Sequence, residues 1–134
     1  LILSGAGSGD DALEDTIITA SFTIKNMNSL TLSGFSLIGG LLVTDNIGSL
    51  TLNDISVTGS TADGIKVENH TGSVKLEKVT VSANDADGAD IQATGSVQVL
   101  DSSFSQNDAG GLVIITPGRT HSGGSLSPLL LTST

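Results

Sequence analysis

The chain contains no cysteine, no tryptophan and no tyrosine, and only three of its 134 residues are phenylalanine. Without cysteine, neither a disulfide framework nor a thiolate metal site can form. Basic residues are also scarce, with five Lys and Arg against fourteen Asp and Glu, for a formal net charge of −9. Binding to phosphate groups needs a cationic face, so we expect no nucleic-acid partner and no anionic membrane surface as a partner.

Long apolar runs are absent as well. No stretch of about 18 apolar residues occurs, so we expect no membrane-spanning helix and no membrane insertion. The opening "LIL" is too short for a signal peptide and follows no basic region, which suggests a segment of a larger processed protein. Hydrophobic residues still make up 37% of the chain, and seventeen glycines accompany only two prolines. This composition favours one ordered domain with many turns.

Four segments of the chain begin alike and divide it into repeats. They are "SLTLSGFSL" from Ser29, "SLTLNDISV" from Ser49, "SVKLEKVTV" from Ser73 and "SVQVLDSSF" from Ser96, so their starts lie 20, 24 and 23 residues apart. The short first spacing has a local cause, because "GG" at residues 39–40 replaces "GSTADG" at residues 59–64. We predict five rungs, at about residues 1–28, 29–48, 49–72, 73–95 and 96–118.

Apolar residues recur two positions apart within each repeat, which is the periodicity of strands and not of helices. Aligning the repeats predicts three short strands per rung and six inward-facing columns. The columns of the third strand are Phe22, Leu41, Ile65, Ala89 and Leu112, and then Ile24, Val43, Val67, Ile91 and Ile114. Three short strands in each rung of about 23 residues predict an all-β chain, folded as a right-handed parallel β-helix (a solenoid) of about five rungs.

The rung pattern resembles the β-helices shared by pectate-lyase-like enzymes, autotransporter passenger domains and giant bacterial surface proteins. The resemblance covers residues 1–118, through rungs of the form "G-[SV]-x-L…[SV]-x-[SN]…D/A-G-[IL]-x-[VI]". It implies the fold, and a secreted or cell-surface location on a bacterium. It does not select an activity, because this scaffold carries many. Residues 119–134 leave the pattern as a Gly/Ser/Pro-rich tail, whose "LLL" either covers the last rung or begins another module.

The rungs lack the catalytic groups that the resemblance would imply. Lyases of this fold use a basic residue near a calcium ion, yet the only arginine, Arg119, lies in the tail. The two histidines are assigned to a turn (His70) and to the tail (His121). Asp54 and Asp101 share a column position but lie two rungs apart, which favours a solvated face. We therefore predict no catalytic residue.

Two functions remain open from the sequence. The first is a non-catalytic structural or adhesive segment of a large exported protein, which self-associates through its rung ends or stacks on other segments of a larger parent chain. The alternative is a carbohydrate-active β-helix, lyase-like or hydrolase-like, or a carbohydrate-binding one with calcium dependence.

Two acidic stretches are candidate calcium sites, and calcium is the only cofactor considered. Residues 6–14, "AGSGDDALE", match a calcium-binding nonapeptide except at Ala6, which makes Asp10 and Asp11 candidate ligands. One copy cannot complete the cage, because ligands come from successive turns, so a polar loop is the alternative. The turn "ANDADGAD" offers three more carboxylates, Asp85, Asp87 and Asp90. It lacks the first carboxylate and the bidentate Glu of an EF-hand, so it is first of all a turn.

The outward side of the second strand carries two columns of hydroxyl groups. The candidate binding-face residues are Ser36, Ser56, Thr58, Thr80, Ser82, Ser103 and Ser105. Such an array suits a carbohydrate, a mineral or ice, although Ser and Thr are also ordinary solvent-facing strand residues. Just before the third strand, Gly64, Gly88 and Gly110 recur. We expect these glycines to supply a backbone conformation that other residues avoid.

Overall fold

The computed structural model describes residues 1–9, 15–123 and 129–131, which form fourteen β-strands and no helix. The strands are β1 (Ile2–Ser4), β2 (Thr16–Ile18), β3 (Phe22–Lys25), β4 (Asn28–Ile38), β5 (Leu41–Thr44), β6 (Ile47–Thr58), β7 (Ile65–His70), β8 (Val74–Ser82), β9 (Ala89–Ala93), β10 (Val97–Leu100), β11 (Ser103–Ser105), β12 (Leu112–Thr116), β13 (Arg119–Gly123) and β14 (Leu129–Leu131). Within these residues, nothing resembles a helix long and apolar enough to span a membrane. The predicted all-β class is confirmed.

Parallel pairing joins β1 to β12 into two stacked sheets. One sheet orders its strands β1-β4-β6-β8-β10, with β2 on β4 and β11 on β8, and the other orders them β3-β5-β7-β9-β12. Sequence neighbours are thus never sheet neighbours within this stack, which is the topology of a β-solenoid of about four turns. Each of the three strand positions occurs in five successive rungs, and the chain makes four turns to pass from the first rung to the fifth.

The register of the third strand matches the predicted columns residue by residue. Phe22 pairs with Leu41, and Leu41 pairs with Ile65. The column continues through Ala89 to Leu112. The inward columns of the three strand positions form one hydrophobic core that runs the length of the solenoid. Each rung buries its apolar side chains against the rungs above and below it, so stability is built between neighbours.

In the three middle rungs the first and second of the three predicted strands are continuous through a bend, whereas in the first and last rungs they are separate. The bend falls at Gly34 in β4, at Asp54 in β6 and at Lys78 in β8, and each has a left-handed φ of 73°, 55° and 55° respectively. Pairing resumes on the far side of the bend, as with Phe35 on Ile55. A single left-handed residue turns the chain while the ladder on both sides stays in register.

The two ends of the solenoid differ. On the last rung, β13 pairs antiparallel with β12, and β14 pairs antiparallel with β10. On the first rung, β1, β2 and β3 each pair on one side only with another described strand. Leu3 is in register with the buried Leu32 but is 38% exposed itself. The first rung therefore presents inward-type apolar side chains and three strand edges to solvent.

Buried polar side chains fill the turn between the second and third strands. The Ser60 N–H donates to Asn84 Oδ1 at 2.9 Å, and the Asn84 N–H donates to Asn107 Oδ1 at 3.2 Å. This ladder explains the recurring glycines. A Cβ added at Gly64 would lie 2.6 Å from Asn84 Nδ2, and one at Gly88 would lie 2.5 Å from Asn107 Nδ2. Neither glycine has a left-handed φ, so the expectation of special backbone freedom is wrong at these two positions, and the ladder leaves no space for a side chain.

Candidate functional site

The structure brings the predicted hydroxyl residues together on one outward face. Ser36 pairs with Ser56, Ser56 with Thr80, and Thr80 with Ser103. The second column follows the same register from Ile38 through Thr58 and Ser82 to Ser105. Neighbouring rungs lie about 4.8 Å apart, so the seven hydroxyl groups form a regular two-column array.

The loop residues Ser8 and Gly9 border one side of this hydroxyl face. The Ser36 Oγ donates to the carbonyl oxygens of Ser8 and Gly9, the latter at 2.8 Å, and the Ser8 Oγ donates to Asp54 Oδ1 at 2.6 Å. The loop and the face together border a depression of about 450 Å³. Its lining combines hydroxyl groups with the apolar side chains of Ile17 and Ile38, a surface that suits a neutral ligand with both O–H and C–H groups.

The acidic turn does not gather its three carboxylates around one point. Asp85 is an exposed turn residue, and the Asp87 N–H donates to Asp63 Oδ1 at 3.0 Å. Asp90 lies on the outward side of β9, as its alternation with Ala89 predicts. Across the part of the chain that the structure describes, no group of three or more His, Cys, Asp or Glu side chains is arranged to hold a metal ion. Asp10 and Asp11 lie outside the described residues, and calcium binding stays a prediction.

Asp90 has a lysine partner in the rung before it. Lys66 Nζ lies 3.3 Å from Asp90 Oδ2 and 3.6 Å from Asp63 Oδ2. The hydrogen bond to Asp90 raises the pKa of Lys66 above its usual value of 10.5, the charges of Asp90, Asp63 and Glu68 act in the same direction, and partial burial opposes them. The arrangement links two rungs through charge on the outside of the third strand.

His70 is a buried interior residue, which corrects its assignment to a turn. It is the last residue of β7 and only 2% exposed, while His121 lies on β13. His70 pairs with Ala93 of the next rung. Thr44 pairs with Glu68, so the positions two residues further on, Asn46 and His70, are equivalent in their two rungs. Periodicity did not reveal this position, because the interior column at this corner is mostly polar.

The interior corner column consists of Met27, Asn46, His70, Ala93 and Thr116. The Met27 N–H donates to Asn46 Oδ1, and His70 Nε2 lies 3.1 Å from the carbonyl oxygen of Ser73. A depression of about 480 Å³ crosses three rungs at this corner and is lined in part by His70, Ala93 and Thr116 of the column. Its rim carries neutral polar side chains such as Asn69, Gln92 and Thr94, so this corner offers hydrogen bonds without charge.

No family model, no curated protein and no solved structure matches this chain. The solenoid is therefore assigned from the strand register, and the candidate sites are assigned from their geometry.

Proposed function

We propose that this chain is a non-catalytic structural segment of a large exported or cell-surface protein, most readily a bacterial one. It acts as a stalk or adhesive module that stacks end to end, on a second copy or on other rungs of a larger parent chain. The observation that carries the proposal is the first rung, where unpaired strand edges surround exposed apolar side chains.

Two features of the first rung support stacking. The edges of β1, β2 and β3 carry backbone N–H and C=O groups ready to pair with another strand. Leu1 and Leu3 are 58% and 38% exposed, and Ile18, Phe22 and Ile24 are only partly buried. A stacked rung would cover this surface and complete the inward columns, at about 25 cal/mol per Å² of apolar area buried.

Light scattering over a range of protein concentrations tests the proposal. We expect the molar mass to rise with concentration, and Leu3→Asp to abolish the rise by placing a charge in the interface. Thr80→Asp is the matched control, because it adds the same charge on the exposed outward face far from the first rung. A chain that stays monomeric at every concentration, or a Thr80→Asp variant that loses association equally, rejects stacking through the first rung.

Saccharide binding is the second candidate, favoured by the depression beside Ser36 and Ser56. Its neutral hydroxyl groups and the side chains of Ile17 and Ile38 suit a sugar ring. Depolymerisation assays on anionic and neutral polysaccharides, with calcium and with chelator, test whether the chain cleaves a saccharide. Robust turnover would reject the non-catalytic proposal, and an unchanged melting temperature on chelation would remove the calcium hypothesis.

A further inference from the structure

Three buried polar atoms of the interior corner column have no hydrogen-bond partner among the described residues. They are Asn46 Nδ2, His70 Nδ1 and Thr116 Oγ1. Each of the three residues is at most 3% exposed. A buried polar group left without a partner destabilises a protein by about 1–3 kcal/mol. Three such atoms in one column therefore point to small polar ligands enclosed along it.

The hydrogen bonds that Asn46 and His70 already make determine whether each remaining side-chain atom is a donor or an acceptor. A backbone N–H can only donate, so Asn46 Oδ1 accepts from Met27 and Asn46 Nδ2 is left as a donor. A carbonyl oxygen can only accept, so in the neutral ring His70 Nε2 donates to Ser73 and His70 Nδ1 is left as a lone pair. The two residues thus present one donor and one acceptor toward the same corner.

Asn46 Nδ2 and His70 Nδ1 are not bonded to each other, because each atom lacks a partner although their residues stack in adjacent rungs. Equivalent positions in stacked rungs lie about 4.8 Å apart. Two hydrogen bonds of about 2.9 Å that meet at a tetrahedral oxygen span about 4.7 Å. A hydroxyl oxygen between Asn46 and His70 would accept from the first and donate to the second.

We propose that this corner is a binding site for ordered water, with one enclosed molecule bridging Asn46 Nδ2 and His70 Nδ1. Water is the hydroxyl ligand that fits, because the atoms to be bridged are screened from bulk solvent and a water is small enough to stay enclosed. The site lies apart from the first rung, so it does not depend on the stacking proposed above.

The next rung extends the site toward Thr116. Ala93, which stacks on His70, supplies only a methyl group. The corner of this rung is also one residue shorter, since the pairing of β7 with β9 skips a residue between Val67 and His70. Both differences leave space beside the depression that crosses the three rungs. Further water molecules in that space would reach Thr116 Oγ1.

A crystal structure at a resolution that shows ordered water tests the bridge directly. We expect one oxygen within about 3 Å of both Asn46 Nδ2 and His70 Nδ1. Nitrogen NMR of the histidine ring gives a second readout that does not require crystals, and it should show the proton on Nε2 and a hydrogen-bonded lone pair on Nδ1. A direct contact between the two side chains, or a proton on Nδ1, overturns the proposal.

Paired variants test the same bridge in solution. We expect Asn46→Leu and His70→Leu each to lower the melting temperature, because each leaves the other partner buried and unsatisfied. The double variant should lose less than the sum of the two, since it removes the donor and the acceptor together. Gln92→Ala is the matched control, an exposed amide on the rim of the same corner. Strictly additive losses in the double variant would contradict a shared ligand.

Discussion

The side-chain amide of Asn84 donates to Oδ1 of Asn107 in the next rung, over 2.9 Å. The same Asn84 amide also donates to the carbonyl oxygen of Ser82, and Asn107 Nδ2 donates to the carbonyl of Val81. Stacked asparagines thus satisfy backbone groups of the turn, in addition to backbone hydrogen bonds between rungs such as that from the Asp85 N–H to the Ser60 carbonyl. The turn is ordered by these side chains as much as by its glycines.

Replacing Asn84 with Leu should destabilise the chain by about 1–3 kcal/mol, because the Ser60 N–H would stay buried without its acceptor, whereas Asn107 Oδ1 keeps the backbone N–H of residue 84. Urea denaturation followed by circular dichroism measures the loss. Gln92→Leu on the outward side of β9 is the control and should change the free energy of unfolding by less than about 0.5 kcal/mol. Equal effects of the two substitutions would show that the ladder adds nothing.

Replacing Gly88 with Ala should destabilise the chain by about 1–3 kcal/mol, because the new methyl group would meet both Asn107 Nδ2 and the Gly111 carbonyl at 2.5 Å. Gly110→Ala is a matched control one rung later. There the nearest atom is the free-moving end of the Asp87 carboxylate, 2.9 Å away. Denaturation midpoints should fall clearly for the first variant and little for the second. The reverse order would mean that the turns are shaped by backbone conformation instead.

The pair between Lys66 and Asp90 should make stability depend on alkaline pH. Since folding raises the pKa of Lys66, its stabilising contribution is complete below the unfolded pKa of about 10.5 and is lost as pH rises through the folded pKa. The Lys66 side chain is 38% exposed, so solvent screening limits the effect to about 0.5 kcal/mol.

Unfolding free energies of the parent chain and Lys66→Met at pH 8 and pH 11 measure this contribution. The difference between them should shrink at the higher pH. Lys25→Met, at an exposed lysine of the first rung, should give a difference that changes less with pH. A Lys66→Met difference that stays constant or grows would contradict the assigned pair.

Lys78 lies in a left-handed conformation, with φ of 55°, at a bend where Gly34 and Asp54 occupy the equivalent positions of earlier rungs. Asparagine tolerates this conformation better than lysine, so Lys78→Asn should stabilise the chain by about 0.5–1 kcal/mol. Thr80→Asn, at an exposed strand position nearby, should not stabilise it. Thermal melts of both variants decide the matter, and a lower melting temperature for Lys78→Asn would count against strain at the bend.

The repeat columns could be predicted because apolar side chains two residues apart on a strand all point into the interior of a solenoid. The pairing of Val43 with Val67 and of Leu52 with Leu76 follows directly from that pattern. The hydroxyl face followed with it, because outward positions alternate with inward ones.

The buried polar residues could not be predicted in the same way. Asn84 and His70 look like turn residues in the sequence, and only the stacked rungs show that they point inward. The bend at Lys78 is hidden for a similar reason, since lysine carries no signal for a left-handed backbone. Whether Asp85, Asp87 and Asp90 bind calcium also depends on spatial arrangement, and spacing alone does not fix it.

Because each rung is bonded only to its neighbours, the solenoid has a distinctive response to pulling force. The rung from Ser49 to Gly72 contains 24 residues, which span about 80 Å when extended but add only about 4.8 Å to the stack. A chain pulled from its ends would shed one rung at a time, lengthening by roughly 75 Å at each step. Such a solenoid would lengthen in steps under tension and absorb mechanical work while the remaining rungs stay folded.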